Sequence, residues 1–393
     1  MSMRTEEITF NKEELERYSR HIIIPEFNIE GQRKLKNARV LVVGTGGLGA
    51  PLLLYLTAAG VGTIGIVDFD IVEKSNLQRQ VLFTTSDVGR PKVEAAKDRL
   101  AALNPFVHFE LFNTRLDSTN ALDIISSFDI VADGTDNFPT RYLVNDACVF
   151  AGKINVFASI YRFEGQASVF NYLYPDGSRG PNYRDLFPSP PPAGLVPSCA
   201  EGGVLGVLPG ILGSLQANEV IKVISGIGTP LAGRLFQFDA AEFQSKIYKI
   251  SKDPENPISG INPTQSELID YEMFCGINHA ELNEEKEIPN EISVDQLNDW
   301  IKSGKDFQLI DVREPYEYEI ANLGGKLIPK GDILTHLDQV ERDKPVVVHC
   351  RSGKRSQDVI NLLEKEAGFH HLLNLQGGIL AWADKIDSTM PKY

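Results

Sequence analysis

A chain of 393 residues, 42% hydrophobic and 23% charged, has enough apolar sequence for two or three domains with cores of their own and reads as an ordinary globular protein. Its net charge of -14 argues against a broadly basic nucleic-acid surface, so any anion site must be a local pocket. The opening MSMRTEEITFNKEELERYSRHII lacks an apolar signal core, and the longest apolar stretch, GGVLGVLPGILGSLQA, is broken by Gly and Pro; the expectation is a cytoplasmic protein without a membrane span.

In chain order, VLVVGTGGLG reads as a buried strand and glycine turn leading into the helix APLLLYLTAAGV, and TIGIVDFD as a second strand. Gly44, Gly46, Gly47 and Gly49 lack the side chains that would keep phosphates away from backbone N–H groups at a helix N-terminus. Asp68 ends the second strand, where a carboxylate takes ribose hydroxyls, so an NAD enzyme is the first reading. DFDIVEKSNLQRQ, GRPKVEAAK and DGTDN then add Asp70, Asn76, Arg79, Lys92, Asp136 and Asn137. Hydride transfer needs no such surplus of cations and carboxylates, whereas a triphosphate with Mg²⁺ needs both. Surface salt bridges are the alternative account of each residue taken singly.

FDIVADGTDN is a further strand, and the alternation of strands and helices predicts a mostly parallel sheet covered on both faces. INVFASIYRFEGQASVFNY and RLFQFDAAEFQSKIYKI read as antiparallel pairs. Between them, YPDGSRGPNYRDLFPSPPPAGLVPSCAEGG predicts a long exposed crossover loop carrying Cys199, which has little core to be buried in. Residues 277–287 are charged and poor in apolar side chains, as a linker is, and a smaller α/β unit occupies 288–393. The four cysteines form no C-x-x-C pair; Cys148 belongs in a helix core and Cys275 has no activating neighbours.

In the smaller unit, VVVHCRSGKRSQ ends a strand at Cys350 and leads through a short glycine-containing loop to a helix expected from about Ser356 to Glu366. Such a loop turns successive N–H groups inward on one sulfur, and Arg351, Lys354 and Arg355 add positive charge, which suits a persulfide anion. A cysteine phosphatase loop would have an arginine at the position of Ser356, one residue beyond Arg355.

RYSRH, GTGGLG, DFD, SNLQRQ, GRPK, DGTDN and SCAEGGVLG, in this order over residues 13–276, resemble the MoeB/ThiF family, bacterial relatives of ubiquitin-activating enzymes. The resemblance implies a Rossmann-like adenylating domain over 1–276 that uses ATP and Mg²⁺ to adenylate the C-terminal glycine of a ubiquitin-like sulfur carrier ending in Gly-Gly. It places Gly46 against the nucleotide, Asp68 on the ribose, Asn76, Arg79 and Lys92 on the phosphates, and Asp136 on Mg²⁺, with Asp70, Ser75 and Asn137 in the same set. The residue matching Arg20 acts in the neighbouring subunit's site, which implies a homodimer. Cys199 matches a cysteine that accepts the carrier as a thioester or acyl disulfide. Most relatives bind a structural zinc through two C-x-x-C pairs; here those positions are Asn182, Asp185, Asn256 and Ser259, and no zinc is expected. DVREPYEYEIANLGG, HCRSGKRS and LQGGILAW resemble a rhodanese domain, which implies sulfane sulfur on Cys350, with Asp311 and Arg313 bracing its loop.

The combined expectation is an adenylyltransferase fused to a sulfurtransferase, making a carrier thiocarboxylate for molybdopterin, thiamine or tRNA thiolation. The sulfur donor would be a cysteine desulfurase or thiosulfate. The alternatives are an NAD-dependent oxidoreductase with an accessory sulfur domain and a non-catalytic carrier scaffold.

Overall fold

The computed structural model describes residues 9–192, 202–276 and 290–393, and the chain divides into two compact units, Met1–His279 and Ala280–Tyr393. In the first, β1 (Arg39–Val43), β2 (Thr63–Val67) and β4 (Ile130–Asp133) are apolar runs buried almost throughout. Strands without a polar face belong in the middle of a parallel sheet covered on both sides. With β3 (His108–Phe112) and β5 (Ile154–Tyr161) they pair in parallel in the order 3-2-1-4-5. The antiparallel β6 (Glu164–Phe170), β7 (Arg234–Asp239) and β8 (Gln244–Lys249) extend the sheet beyond β5, as the paired patterns predict.

The helices are α1 (Lys12–Ile22), α2 (Asn28–Asn37), α3 (Gly49–Ala59), α4 (Lys92–Leu103), α5 (Ala121–Ser126), α6 (Phe138–Phe150) and α7 (Leu208–Ser225). Buried Gln216 on α7 donates to the carbonyls of Asp133 and Val156 at 2.7 Å each, which ties this helix to β4 and β5. The chain leaves β1 and β4 toward opposite sides of the sheet, and a crevice opens at their C-terminal ends, where α/β sheets bind ligands.

Part of the segment read as an exposed crossover is interior. Pro181, Asn182, Tyr183 and Arg184 are buried, although Pro175–Ser178 is exposed. Arg184 makes the difference: its Nε and Nη2 donate to Asp146 on α6 at 2.9 and 2.7 Å, and the Tyr271 hydroxyl donates to the same carboxylate at 2.8 Å. Tyr183 enters the core with Leu186 and Phe187 packed against it, and the carboxylate partner meets the charge of the guanidinium buried beside them.

The second unit holds a parallel sheet in the order β11-β10-β12-β13-β9, from β9 (Glu291–Ile292), β10 (Gln308–Asp311), β11 (Lys326–Leu327), β12 (Val346–His349) and β13 (Leu372–Leu375). Its helices are α8 (Val294–Ser303), α9 (Pro315–Ile320), α10 (Lys354–Ala367) and α11 (Gly378–Lys385). Along β12, Val346, Val348 and Cys350 enter one core cluster and Val347 another, so both faces are covered. Helix α10 begins at Lys354, two residues before the expected start, because Gly353 at φ +96° turns the chain directly into it.

Candidate functional sites: the glycine-turn cleft and the Cys350 loop

At the end of β1, Gly44 takes φ +90° and the chain enters α3 at Gly49. A Cβ on Gly49 would lie 2.0 Å from the Gly44 carbonyl oxygen, so the helix start packs directly on the strand end. The cleft above has an empty volume of about 980 Å³ and brings together Gly44, Gly46, Gly47, Asp68, Asp70, Arg79, Lys92, Asp136 and Asn137. Of the residues expected there, Gly49 lies behind the turn. Ser75 and Asn76 form a one-turn helix with Lys74, and the carbonyl of Ser75 accepts from Arg79 Nη1 at 3.3 Å. Arg20 is exposed on α1 and does not line the cleft of its own chain.

Asp68 accepts from the Thr45 N–H at 2.8 Å and the Thr45 hydroxyl at 2.6 Å through Oδ2, and from the Asp70 N–H at 2.9 Å through Oδ1. The glycine turn is thus fastened to the second strand by the carboxylate expected to face the ribose. Lys92 is only 5% exposed and reaches Asp70 Oδ2 at 2.8 Å, so a cation is held in the cleft wall by one carboxylate. Asn137 caps α6 by accepting the Thr140 N–H at 2.9 Å, which accounts for it structurally as well. Fully buried Asp133 accepts from the Thr135 N–H and hydroxyl at 2.9 and 2.6 Å, shaping the loop that carries Asp136. Burial pushes its carboxyl up, against the opposing pull of the Arg141 charge and those Thr135 bonds.

Sequence reasoning passed over Thr45, Gln80, Arg115, Thr135 and Thr140. Thr45 and Gln80 stand inside quoted motifs, where attention to every side chain would have found them. Arg115 follows β3 with no motif around it, and only the fold brings it to the cleft.

The positions matching the family's zinc ligands do come together, as a hydrogen-bonded set. Asn182 Nδ2 donates to Ser259 Oγ at 2.7 Å, Asn256 Nδ2 to Asp185 Oδ1 at 2.8 Å, and the Asn182 N–H to Asp185 Oδ2 at 2.7 Å. Asn256 Oδ1 in turn accepts the N–H groups of Ile258 and Ser259. Two amides, a hydroxyl and one carboxylate do not fit Zn²⁺, which takes thiolate, imidazole and carboxylate donors. Cys148 is fully buried and its thiol is pushed up by burial; burial likewise pushes Cys275 up to about 11, against the nearby Arg184 charge. Cys199 lies outside the described residues.

In the second unit Cys350 is 1% exposed. The carbonyls of Cys350 and Arg351 accept the N–H groups of Ile379 and Leu380 at 3.0 and 3.2 Å, at the start of α11. With those carbonyls turned away, the Gly353 N–H points at Cys350 Sγ, 3.2 Å away. The Ser356 hydroxyl lies 3.5 Å from Sγ and is held by Asn374 Oδ1 at 2.6 Å. A buried thiol with an inward N–H at this distance is an arrangement that can hold a sulfur anion.

The three cations near Cys350 have different surroundings. Lys354 is exposed, whereas Arg355 donates to both oxygens of Glu317 at 2.7 Å, and Arg351 Nε donates to the main-chain oxygen of Tyr393 at 2.5 Å. Burial would raise the Glu317 carboxyl, but the Arg355 hydrogen bonds, the Glu314 N–H and the charges of Arg355 and Arg313 together hold it below its ordinary range. Asp311 and Arg313 are both fully buried and bonded through Nε at 2.9 and 3.0 Å; Arg313 Nη2 also donates to the Ala321 carbonyl at 2.8 Å. This pair braces β10 against the segment after α9.

A family model described as "ThiF family" matches residues 18–258, and one described as "Rhodanese-like domain" matches 293–385. The chain is 50% identical over 386 residues to a "Probable adenylyltransferase/sulfurtransferase MoeZ" of Mycobacterium tuberculosis (strain ATCC 25618 / H37Rv), covering 98% of this chain and 96% of that one. It is 56% identical over 268 residues to a "Sulfur carrier protein adenylyltransferase" of Thermus thermophilus, covering 68% and 99%, and 41% identical to "Adenylyltransferase and sulfurtransferase MOCS3" of Sus scrofa, covering 98% and 88%. Among solved structures, E. coli MccB with ATP aligns with a TM-score of 0.55 at 26% identity, covering 64% of this chain and 75% of that one. A strand–glycine turn–helix cleft at the sheet's switch point and an enclosed cysteine loop in a separate unit thus agree with those matches: the chain belongs to the ThiF family and carries a rhodanese-like domain after its ThiF region.

Proposed function

We propose that the first unit adenylates the C-terminal glycine of a ubiquitin-like sulfur carrier and that the second supplies sulfur as a persulfide on Cys350, leaving the carrier with a thiocarboxylate. The observation that carries this is the meeting, in one cleft, of the glycine turn, the Asp68 carboxylate and the cations Arg79 and Lys92. The carrier carboxylate attacks the α-phosphorus of ATP, the bond to the bridging oxygen breaks, and pyrophosphate leaves. Arg79 and Lys92 stabilise charge gathering on that leaving group, and Asp68 orients the ribose. Asp136 is the residue that would hold Mg²⁺, whose charge would further neutralise the phosphates.

Arg20 completes the cleft of a second copy, which makes the working form a homodimer. In the sulfur step, the terminal sulfur of the Cys350 persulfide attacks the acyl carbon and AMP departs. A second thiol, for which Cys199 is the candidate, then cleaves the resulting sulfur–sulfur bond and frees the thiocarboxylate; a thiol reductant restores the cysteines. Thiosulfate or a cysteine desulfurase reloads Cys350 in the cytoplasm; among the described residues no helix is long and apolar enough to cross a membrane.

The test is ATP–pyrophosphate exchange with a carrier ending in Gly-Gly. Exchange should require the carrier and fall by about tenfold or more in Lys92→Ala, the loss expected for one preorganised charge contact. Carrier-independent exchange, or a normal rate in Lys92→Ala, would refute the assignment.

A further inference from the structure

After α11 the chain makes a turn in which Asp387 accepts the Thr389 N–H and hydroxyl at 3.0 and 2.6 Å, and the Met390 N–H reaches the Asp387 carbonyl at 3.1 Å. Met390 packs against the cluster containing Val347 and Trp382, so this turn is anchored to the sheet. The three residues beyond it bring Tyr393 to the side chains that border the sulfur loop.

Tyr393 engages that border at every level. Its main-chain oxygen accepts from Arg351, the residue after Cys350, at 2.5 Å. Its hydroxyl bonds Arg313 and lies 3.5 Å from Glu317 Oε1, the oxygen that also holds Arg355. Its ring centroid is 5.8 Å from the Arg351 guanidinium carbon and 5.7 Å from that of Arg313, within cation–π range. Arg351 and Arg355, both after Cys350 in its loop, are therefore tied, directly or through Glu317, to one aromatic residue, while Cys350 is 1% exposed.

A persulfide enclosed in this way cannot meet the end of a protein chain until something moves. Residues 391–393 follow the anchored turn at Asp387–Met390, and Lys392 among them pairs with Asp384 on α11. We propose that residues 391–393 form a latch over the Cys350 loop, closed by Tyr393 on Arg351, Arg313 and Glu317, which admits small sulfur compounds and opens to expose the sulfur to a macromolecular acceptor.

The inference rests on Cys350 as the sulfur-bearing residue, yet its test needs no turnover. In the full-length chain, alkylation of Cys350 would be timed by peptide mass spectrometry with N-ethylmaleimide and with the same maleimide on a long polyethylene glycol chain. Tyr393→Ala should speed the bulky reagent by about tenfold, as removing a closing contact of about 1.4 kcal/mol does, and the small one far less. Tyr393→Phe, which keeps the ring, should show a smaller change in the same direction. Lys344→Ala, which removes an ion pair with Asp306 outside the latch, should leave both rates unchanged. No acceleration in Tyr393→Ala, equal acceleration of both reagents, or the same effect in Lys344→Ala would overturn the latch. Loss of sulfur transfer with the alkylation pattern intact would instead count against the catalytic reading.

Discussion

Asn182, Asp185, Asn256 and Ser259 show how a metal site can be replaced by hydrogen bonds. Each side chain has a polar partner within the set or in the adjoining backbone, so hydrogen bonds join the two segments. Asn182→Ala would remove the donor to Ser259 and acceptor capacity at a buried position, a change that costs about 1–3 kcal/mol. The expected outcome is a lowered denaturant midpoint for Asn182→Ala, an unchanged midpoint for the parent protein with a chelator, and no stoichiometric zinc by elemental analysis. Stoichiometric zinc, or chelator-induced melting, would show that the hydrogen-bonded description is wrong. The loss of the cysteines was readable from residue types alone, but their mutual replacement was not. Residues 182 and 256 are far apart in sequence, and only folding makes them neighbours.

At the level of elements, β12 carries two titratable side chains to opposite faces: Cys350 enters one core, while His349 is fully buried on the other, with its Nε2 3.6 Å from Asp311 Oδ2. Burial drives the His349 pKa down to about 4 from 6.5; Asp311 opposes the shift and Arg313 adds to it. Between those values the unfolded chain binds the proton and the folded chain does not, so stability is full above about pH 6.5 and is lost as pH falls toward 4. The loss approaches about 3 kcal/mol. Protection of the β12 amides in the full chain, taken against the intrinsic exchange rate at each pH, should therefore fall across that window, and His349→Asn should flatten the dependence; the same slope in the variant would remove His349 as its cause. The apolar run VVVHC was legible as a strand, and the glycine turns as turns, because these signals are local. The buried part of the crossover was not, because Arg184 is interior only by virtue of Asp146 on a different helix.

For the whole molecule, the fusion of an activating unit to a sulfur unit predicts separable chemistry. Cys350→Ala leaves the glycine-turn cleft untouched, so carrier-dependent pyrophosphate exchange should stay near the parental rate while thiocarboxylate formation, followed by mass of the carrier, falls to background. Sulfur delivery that survives the substitution would mean another residue carries the sulfur; lost exchange would mean the units are not independent. The parallel sheet with its antiparallel extension was legible in the sequence alone. Of the residues lining the cleft, nine were legible this way and the rest were not, because hydrophobic period, glycine placement and motifs report only what is contiguous in the chain. Tertiary structure alone decided which charges remain available near Cys350. Composition counts Arg351, Lys354 and Arg355 as equal cations, but Glu317 and Tyr393 approach from distant parts of the chain and engage the two arginines, leaving Lys354 exposed. Charge is a property of a residue, whereas its availability depends on what the fold places within hydrogen-bond reach.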